Sequence, residues 1–500
     1  MDYYSAKIPN LQPNVRRFSV HLLIAQAPMY NDDFFEDDFR DMEDLLSNFY
    51  RIKRGEAHGL LSEDDFETLI DFFEGNNDIE NADLACEIGL TLFPFSSALI
   101  IRKAEYLMDH KKYGQALKVL DSLDDMDPHN IEGIFLKSDI LLEQNRFAEA
   151  ARLLEAEVNF FDHVDKTDIL LELAEIYDEL EEYEKVYDAL KRVLEYEPNN
   201  EEALLRICFW AEINNRHEDS ITLHQQILEN YPYNAMAWYN LGVAFQGLKL
   251  FEKAIDSYEY CLAIDDKFEY AYRNQGDAYM QLKQYKKAIE VLEMHLTIAK
   301  PEDIILEAIG YCWDKQKNYT KARQYYRKAA QLNPQDDQIF FKIGETYAKE
   351  GQWEKAVKSY SAALNMNKTN ATYCLALGSS LIEMRADKEA LVCFLNAVQL
   401  RPDMKSAWQS LIKGLYVTGY TEEALTQVSV AEDQYGQRVE FVYYRAVILL
   451  ALGKSKDAVL YLEEALLENP KKSNALQFLD KESVLHPAFA DVLVRYKKKK

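Results

Sequence analysis

Proline and glycine are scarce in these 500 residues, at 12 and 17. That scarcity excludes a sandwich or barrel built on many tight turns. With abundant Ala, Leu, Glu, Lys and Tyr it favours long runs of helix. Cysteine is also sparse. Cys86, Cys208, Cys261, Cys312, Cys374 and Cys393 form no C-x-x-C pair and show no disulfide or zinc spacing, which fits a reducing compartment. No apolar run approaches the roughly 18 residues of a transmembrane helix. Positive charge is outweighed, leaving a net charge of −28. A field of that sign repels nucleic-acid backbones and anionic membranes, so neither nucleic acid nor membrane insertion is expected. Catalytic signatures are missing too: no H-E-x-x-H, no G-x-S-x-G, no Walker A and no G-x-G-x-x-G after a strand. The Asp-rich stretch Asp121–Asp127 lacks the glycine and oxygen ligands of a calcium loop. No enzyme, cofactor or metal is expected.

What the sequence does have is a period. Pro94 and Pro128 are 34 residues apart, as are Pro198 and Pro232, while Pro334, Pro402 and Pro470 follow at twice that interval. Gly242, Gly276, Gly310, Gly344 and Gly378 keep the same spacing, and so do Ala254, Ala288, Ala322, Ala356, Ala390, Ala424 and Ala458. Three residue types on one period mark a repeat array. Each unit reads as two antiparallel helices, with Gly and Ala where their backbones must approach and proline stopping the second helix. One unit cannot bury its own apolar face, so stability comes from stacking neighbours.

These offsets resemble the tetratricopeptide-repeat (TPR) family. Trp238, Leu241, Gly242, Phe245, Phe251, Ala254 and Tyr258 fall on its pattern in residues 235–268, as do Gly310, Tyr319, Ala322, Tyr326, Ala329 and Pro334 in 303–336. The resemblance implies an all-α, right-handed α-solenoid of about twelve TPR helix-turn-helix repeats with helical caps. The frame runs without a gap over 167–472 and, after a two-residue slip near Asp165, over 63–166. Unit 201–234 is weak, with Cys208 at the Gly position, Ser220 at the Ala position, and His217 and His224 at aromatic positions. Cys208, Cys261 and Cys374 all fall on packing positions of the consensus.

Residues 29–62 read as an acidic capping helix carrying Phe34, Phe35, Phe39, Met42, Leu45, Leu46 and Phe49. Residues 31–90 hold nineteen Asp or Glu against four Lys or Arg. Residues 473–500 read as capping helices, with Leu476, Leu479, Leu485, Phe489, Leu493 and Tyr496 covering the last apolar face, then a basic tail. Residues 1–28 stand apart. Arg16 and Arg17 precede an apolar stretch from Phe18 to Ala25 and a small-residue run, Ala25-Gln26-Ala27. A cleaved export signal, a misplaced start ahead of a true Met29 and a disordered extension are all open readings. A cytoplasmic protein is expected, with an exported protein of envelope assembly as the alternative.

The resemblance also implies where partners bind. First helices of successive TPR units line a concave groove, with positions 2, 5, 6, 9, 12 and 13 facing inward. Those positions give an acidic stretch that includes Glu105, Glu132, Asp139, Glu172, Glu175 and Asp178, suited to a basic segment. Further along they give an aromatic and mixed polar stretch: Tyr239, Asn240, Tyr270, Arg273, Asn274, Tyr311, Phe341 and Lys342. The second stretch is the expected protein- or peptide-binding site, on the reasoning that the most regular units form the most rigid groove. The Lys/Asn carboxylate clamp of chaperone-binding TPR modules is incomplete, because Leu205 and Phe209 occupy two of its places.

Overall fold

The computed structural model describes residues 35–56, 61–435 and 438–497. The leader 1–28, Phe34 and the end of the basic tail lie outside the described residues, as do the side chains of Phe35 and Phe39. Among the described residues there are 27 α-helices and no strand. The chain divides into two compact units, one ending at Pro198 and one beginning at Asn199.

The first unit opens with α1 (Phe35–Lys53). Four helix pairs follow: α2 (Glu63–Gly75) and α3 (Ile79–Leu92), α4 (Ser97–Asp109) and α5 (Tyr113–Asp124), α6 (Ile131–Glu143) and α7 (Phe147–Glu157), α8 (His163–Glu179) and α9 (Tyr183–Tyr196). Helix α1 caps the array: Phe49 is fully buried, its ring 5.2 Å from that of Phe73 on α2.

The second unit continues the pairing. It comprises α10 (Glu201–Ile213) and α11 (His217–Asn230), α12 (Ala235–Gly247) and α13 (Phe251–Ile264), α14 (Glu269–Gln281) and α15 (Tyr285–Ile298), α16 (Asp303–Lys315) and α17 (Tyr319–Leu332). Next come α18 (Asp337–Lys349) and α19 (Trp353–Met366), α20 (Ala371–Glu383) and α21 (Asp387–Leu400), α22 (Lys405–Val417) and α23 (Thr421–Tyr435), α24 (Val439–Ala451) and α25 (Ser455–Glu468). Two short helices close it, α26 (Asn474–Leu479) and α27 (Pro487–Lys497). Within each unit, consecutive helices pack side by side, which is the all-α solenoid of the repeat.

Local chemistry sets the boundaries. Ser62, Ser96, Asn130, Asn200, Asn234, Asp336 and Asn370 cap first helices by accepting a backbone N–H of the first turn. Each first helix is followed, two residues past its end, by a residue with positive φ: Asn77, Lys111, Asn145, Glu181, Asn215, Lys249, Lys283, Lys317, Gly351, Arg385, Gly419 and Gly453. These twelve keep the repeat spacing except between Asn145 and Glu181, where two extra residues lengthen α8. Only three are glycine. The left-handed turn is imposed by packing of the pair at the other nine, at the cost of some backbone strain.

The glycines work differently from the expectation that they bring two backbones together. A Cβ on Gly310 would lie 2.6 Å from Cδ1 of Tyr326, and one on Gly344 2.6 Å from Cδ1 of Tyr360. Gly242, Gly276 and Gly378 face Tyr258, Leu292 and Phe394 in the same way. A large side chain of the second helix, sixteen residues on, fills the volume that glycine leaves empty. Units without that glycine shrink the partner: Ala104 with Leu120, Ala446 with Leu462, Ile412 with Val428, Ile70 with Cys86, all buried. Complementary volume is thus held while the residues vary.

At the carboxyl end, Leu476, Leu479, Phe489 and Val492 join the buried cluster around Phe441 and Tyr444. Leu485 does not. It is 77% exposed, because it lies in the short turn joining α26 and α27 rather than on either helix face.

Candidate partner-binding surface

The side chains expected to face a ligand are held in rows that link successive first helices. Asn274 Nδ2 on α14 donates to the Tyr239 hydroxyl on α12 at 3.1 Å. Lys342 on α18 pairs with Glu307 on α16, and Lys349 Nζ reaches Asp314 at 2.7 Å across the same two helices. Gln409 Nε2 donates to the Tyr444 hydroxyl at 2.9 Å. Gln246 Nε2 donates to Asp277 at 2.9 Å. Each of these links joins neighbouring repeats of the second unit, so the polar groups brace the face as well as present it.

The eight aromatic and polar residues divide accordingly. Tyr239, Tyr270, Arg273 and Asn274 form one cluster, with Phe268 5.0 Å from Tyr239. Arg273 lies 3.8 Å from Glu302, and Tyr270 is 47% exposed. Phe341 stacks on Tyr373 at 4.7 Å, further along the array. Tyr311 meets Tyr285 edge-on at 6.2 Å, with Lys315 over its ring. Burial raises the Tyr239 hydroxyl well above its usual range, and burial likewise raises the Asp277 and Glu345 carboxyls.

Asn240 requires a correction. Instead of facing a ligand it is fully buried. Its Nδ2 donates to the Leu204 carbonyl at 2.7 Å and contacts His224 Nε2 at 3.2 Å. His224 Nδ1 in turn donates to the Ser220 carbonyl at 2.7 Å. The chain Leu204–Asn240–His224–Ser220 ties α10, α11 and α12 together. It also accounts for the irregular unit 201–234. With Cys208 where other units have glycine, a ring as long as tyrosine has no room, and the shorter His224 takes its place.

In the first unit, Glu105 lies on α4, Glu132 and Asp139 on α6, and Glu172, Glu175 and Asp178 on α8. Glu132, Glu175 and Asp178 are exposed; Glu105, Asp139 and Glu172 are half-buried. Arg102 offsets part of this charge, reaching Asp71 at 2.9 Å, Glu74 at 3.5 Å and Glu105 at 3.7 Å. Burial raises the Glu67 carboxyl, and the nearby Asp64, Glu63 and Asp71 add to it. Among the described residues no group of His, Cys, Asp and Glu is arranged to hold a metal ion, and no helix is long and apolar enough to cross a membrane.

Tetratricopeptide-repeat models match residues 107–156, 167–200, 235–268, 271–304 and 340–372, and a TPR-repeat model matches 315–351. The chain is a tetratricopeptide-repeat protein. No curated protein matches it. Among solved structures it is similar to YrrB, described as a TPR protein with an unusual peptide-binding site, at 22% identity over 37% of this chain and 95% of that one, TM-score 0.34. It is similar to the C-terminal part of a TPR repeat-containing protein from Cytophaga hutchinsonii at 16% identity over 48% and 99%, TM-score 0.43. PilF of Pseudomonas aeruginosa is similar at 20% identity over 41% and 92%, TM-score 0.34.

Three further residues share the inward TPR register. On α10, Leu205, Phe209 and Ile213 are 55%, 38% and 42% exposed. They occupy inward positions 5, 9 and 13 of the least regular unit. Three apolar residues four apart at inward positions are a signal visible in the sequence, in a unit that departs from the consensus.

Proposed function

We propose that this TPR chain is a protein-interaction scaffold that holds a segment of a partner across the first helices of its second unit. The observation that carries the reading is the braced row itself. Asn274 is fixed on Tyr239 while Tyr270 beside it leaves nearly half its surface in water. A pre-ordered polar frame around an open aromatic ring offers contact area at little ordering cost. A reducing compartment is part of the reading and is supported by six free thiols.

The test places a photo-crosslinking residue at Tyr270, and separately at Lys358 on the exposed outer face of α19, in the native cell. The reading expects adducts with another protein from position 270 and none from 358. Adducts confined to 358, or none from either, would overturn it.

A further inference from the structure

This inference rests on the reading above and names the helix that anchors the partner and the chemistry it recognises. Leu205, Phe209 and Ile213 recur every four residues and so share one face of α10. All three are large, apolar and more than a third exposed. No other first helix of the second unit carries more than one exposed large hydrophobic residue among the described residues: Tyr270 on α14, Ile304 on α16 and Val417 on α22 stand singly. Scattered exposed hydrophobics need no explanation, but a contiguous stripe marks an interaction surface.

The stripe does not end at α10. The bond from Asn240 to the Leu204 carbonyl fixes α12 against α10, with Tyr239 beside Asn240 in the sequence. The bond from Asn274 to Tyr239 carries the contact on to α14, where Tyr270 is exposed. The helices that carry Leu205, Tyr239 and Tyr270 are thereby joined in succession.

Its margin is acidic. Helix α10 carries Glu201, Glu202 and Glu212 against a single cation, Arg206, whose guanidinium lies 2.7 Å from Glu202. Glu201 and Glu212 are exposed on the flank of Leu205. From Leu205 to Ile213 the stripe extends roughly 12 Å at 1.5 Å per residue, the length of about two helical turns. An extended segment would turn alternate side chains away from it, whereas a helix lays residues at i, i+3, i+4 and i+7 along it.

We propose that α10 anchors the binding surface and accepts an amphipathic helical segment of another protein, apolar on one face and flanked by Lys or Arg. Leu205, Phe209 and Ile213 receive the apolar face, Tyr239 and Tyr270 extend the floor, and Glu201 and Glu212 pair with the flanking cations.

Fluorescence anisotropy with the full chain tests this, using three synthetic peptides of about five helical turns. One is amphipathic with a Leu face and Lys flanks, one has the same face with Glu flanks, and one scrambles the first. The Lys-flanked peptide should bind, and the other two should bind at least about tenfold more weakly, the loss of one anchoring contact. Leu205→Glu and Phe209→Glu should each reduce binding by a similar factor, and Glu201→Lys with Glu212→Lys should reduce it several-fold. Unchanged thermal melts would show that both apolar substitutions leave the fold intact, as expected for exposed positions. Equal binding of the three peptides would overturn the proposal. Binding that survives Phe209→Glu and Leu205→Glu but fails in Arg273→Ala with Asn274→Ala would also overturn it, while leaving the scaffold reading standing. Sedimentation showing a dimer that Phe209→Glu dissolves would assign the stripe to a second copy and overturn it as well. Loss of the crosslink from Tyr270 would instead remove the scaffold reading beneath it.

Discussion

The ring of Tyr326 occupies the space where Gly310 has no side chain. A Cβ on Gly310 would stand 2.6 Å from Cδ1 and 2.7 Å from Cε1 of that ring. Tyr326 is 2% exposed and cannot swing into solvent. Gly310→Ala should therefore destabilise the centre of the array by about 1–3 kcal/mol through overpacking. Ala104 with Leu120 shows a pairing that fits, so Gly310→Ala combined with Tyr326→Leu should recover much of the loss. Urea denaturation of the two single variants and the double variant measures the coupling. Additive effects would mean that the two residues do not share one space.

Most of this fold was legible because periodic packing prints periodic residues. The proline spacing fixed the ends of second helices, and the alanine spacing fixed their buried face, where Ala254, Ala288 and Ala322 are all fully buried. The left-handed turns were not legible, since Lys111, Lys249 and Arg385 carry no signal for a conformation that tertiary packing imposes. The candidate surface was legible only as a register. Position alone put Asn240 and Asn274 in one class. The structure separates them because His224, rather than tyrosine, opens a polar space beneath α12 that Asn240 fills. The sequence also placed weight on regular units, whereas the exposed stripe lies in the unit whose substitutions are least regular.

His224 makes that region sensitive to acid. Complete burial lowers its pKa to about 4 from an ordinary value of 6.5, with the Ser220 carbonyl opposing part of the shift. The folded ring is neutral where the unfolded ring would be protonated. Its contribution is complete above pH 6.5 and is lost as pH falls toward 4, amounting to about 3 kcal/mol at most. Urea titrations followed by tryptophan fluorescence at neutral pH and near pH 4.5 should show that loss, and His224→Leu should flatten it. An identical pH slope in the variant would remove His224 from the account.

Glu440 also loses its contribution on acidification, although its favoured form is the charged one. Burial pushes its carboxyl up, but hydrogen bonds from Lys405 at 2.6 Å and Lys472 at 2.9 Å outweigh burial and bring the pKa down from 4.5 to about 2. The folded pKa is depressed, so this stabilisation is present above pH 4.5 and disappears as pH falls toward 2. Lys405 begins α22 and Lys472 follows α25, so the carboxylate clasps three parts of the carboxyl-terminal core. Glu440→Gln should lower the melting temperature at neutral pH and remove the change between pH 4.5 and 2 in those repeats. Hydrogen exchange of α24 amides, compared with α18 in the same molecule, isolates the local effect. Equal protection of α24 in both proteins would count against the clasp.

The acidic face of the first unit makes a prediction about rates. Glu132, Glu175 and Asp178 are exposed on α6 and α8, where solvent screens charge and each contact contributes little affinity. Exposed charge of one sign steers encounter more than it holds a complex. A Lys- and Arg-rich peptide should therefore associate with the full chain at a rate that falls as salt rises past about 0.15 M, where the Debye length is roughly 8 Å. Glu172→Lys together with Glu175→Lys should slow association several-fold and leave dissociation nearly unchanged. Arg102→Ala should act in reverse, since it removes the cation that now neutralises Asp71, Glu74 and Glu105. Stopped-flow mixing at two ionic strengths reads all three rates. An association rate indifferent to salt, and to these substitutions, would show that the acidity keeps the array soluble and selects no partner.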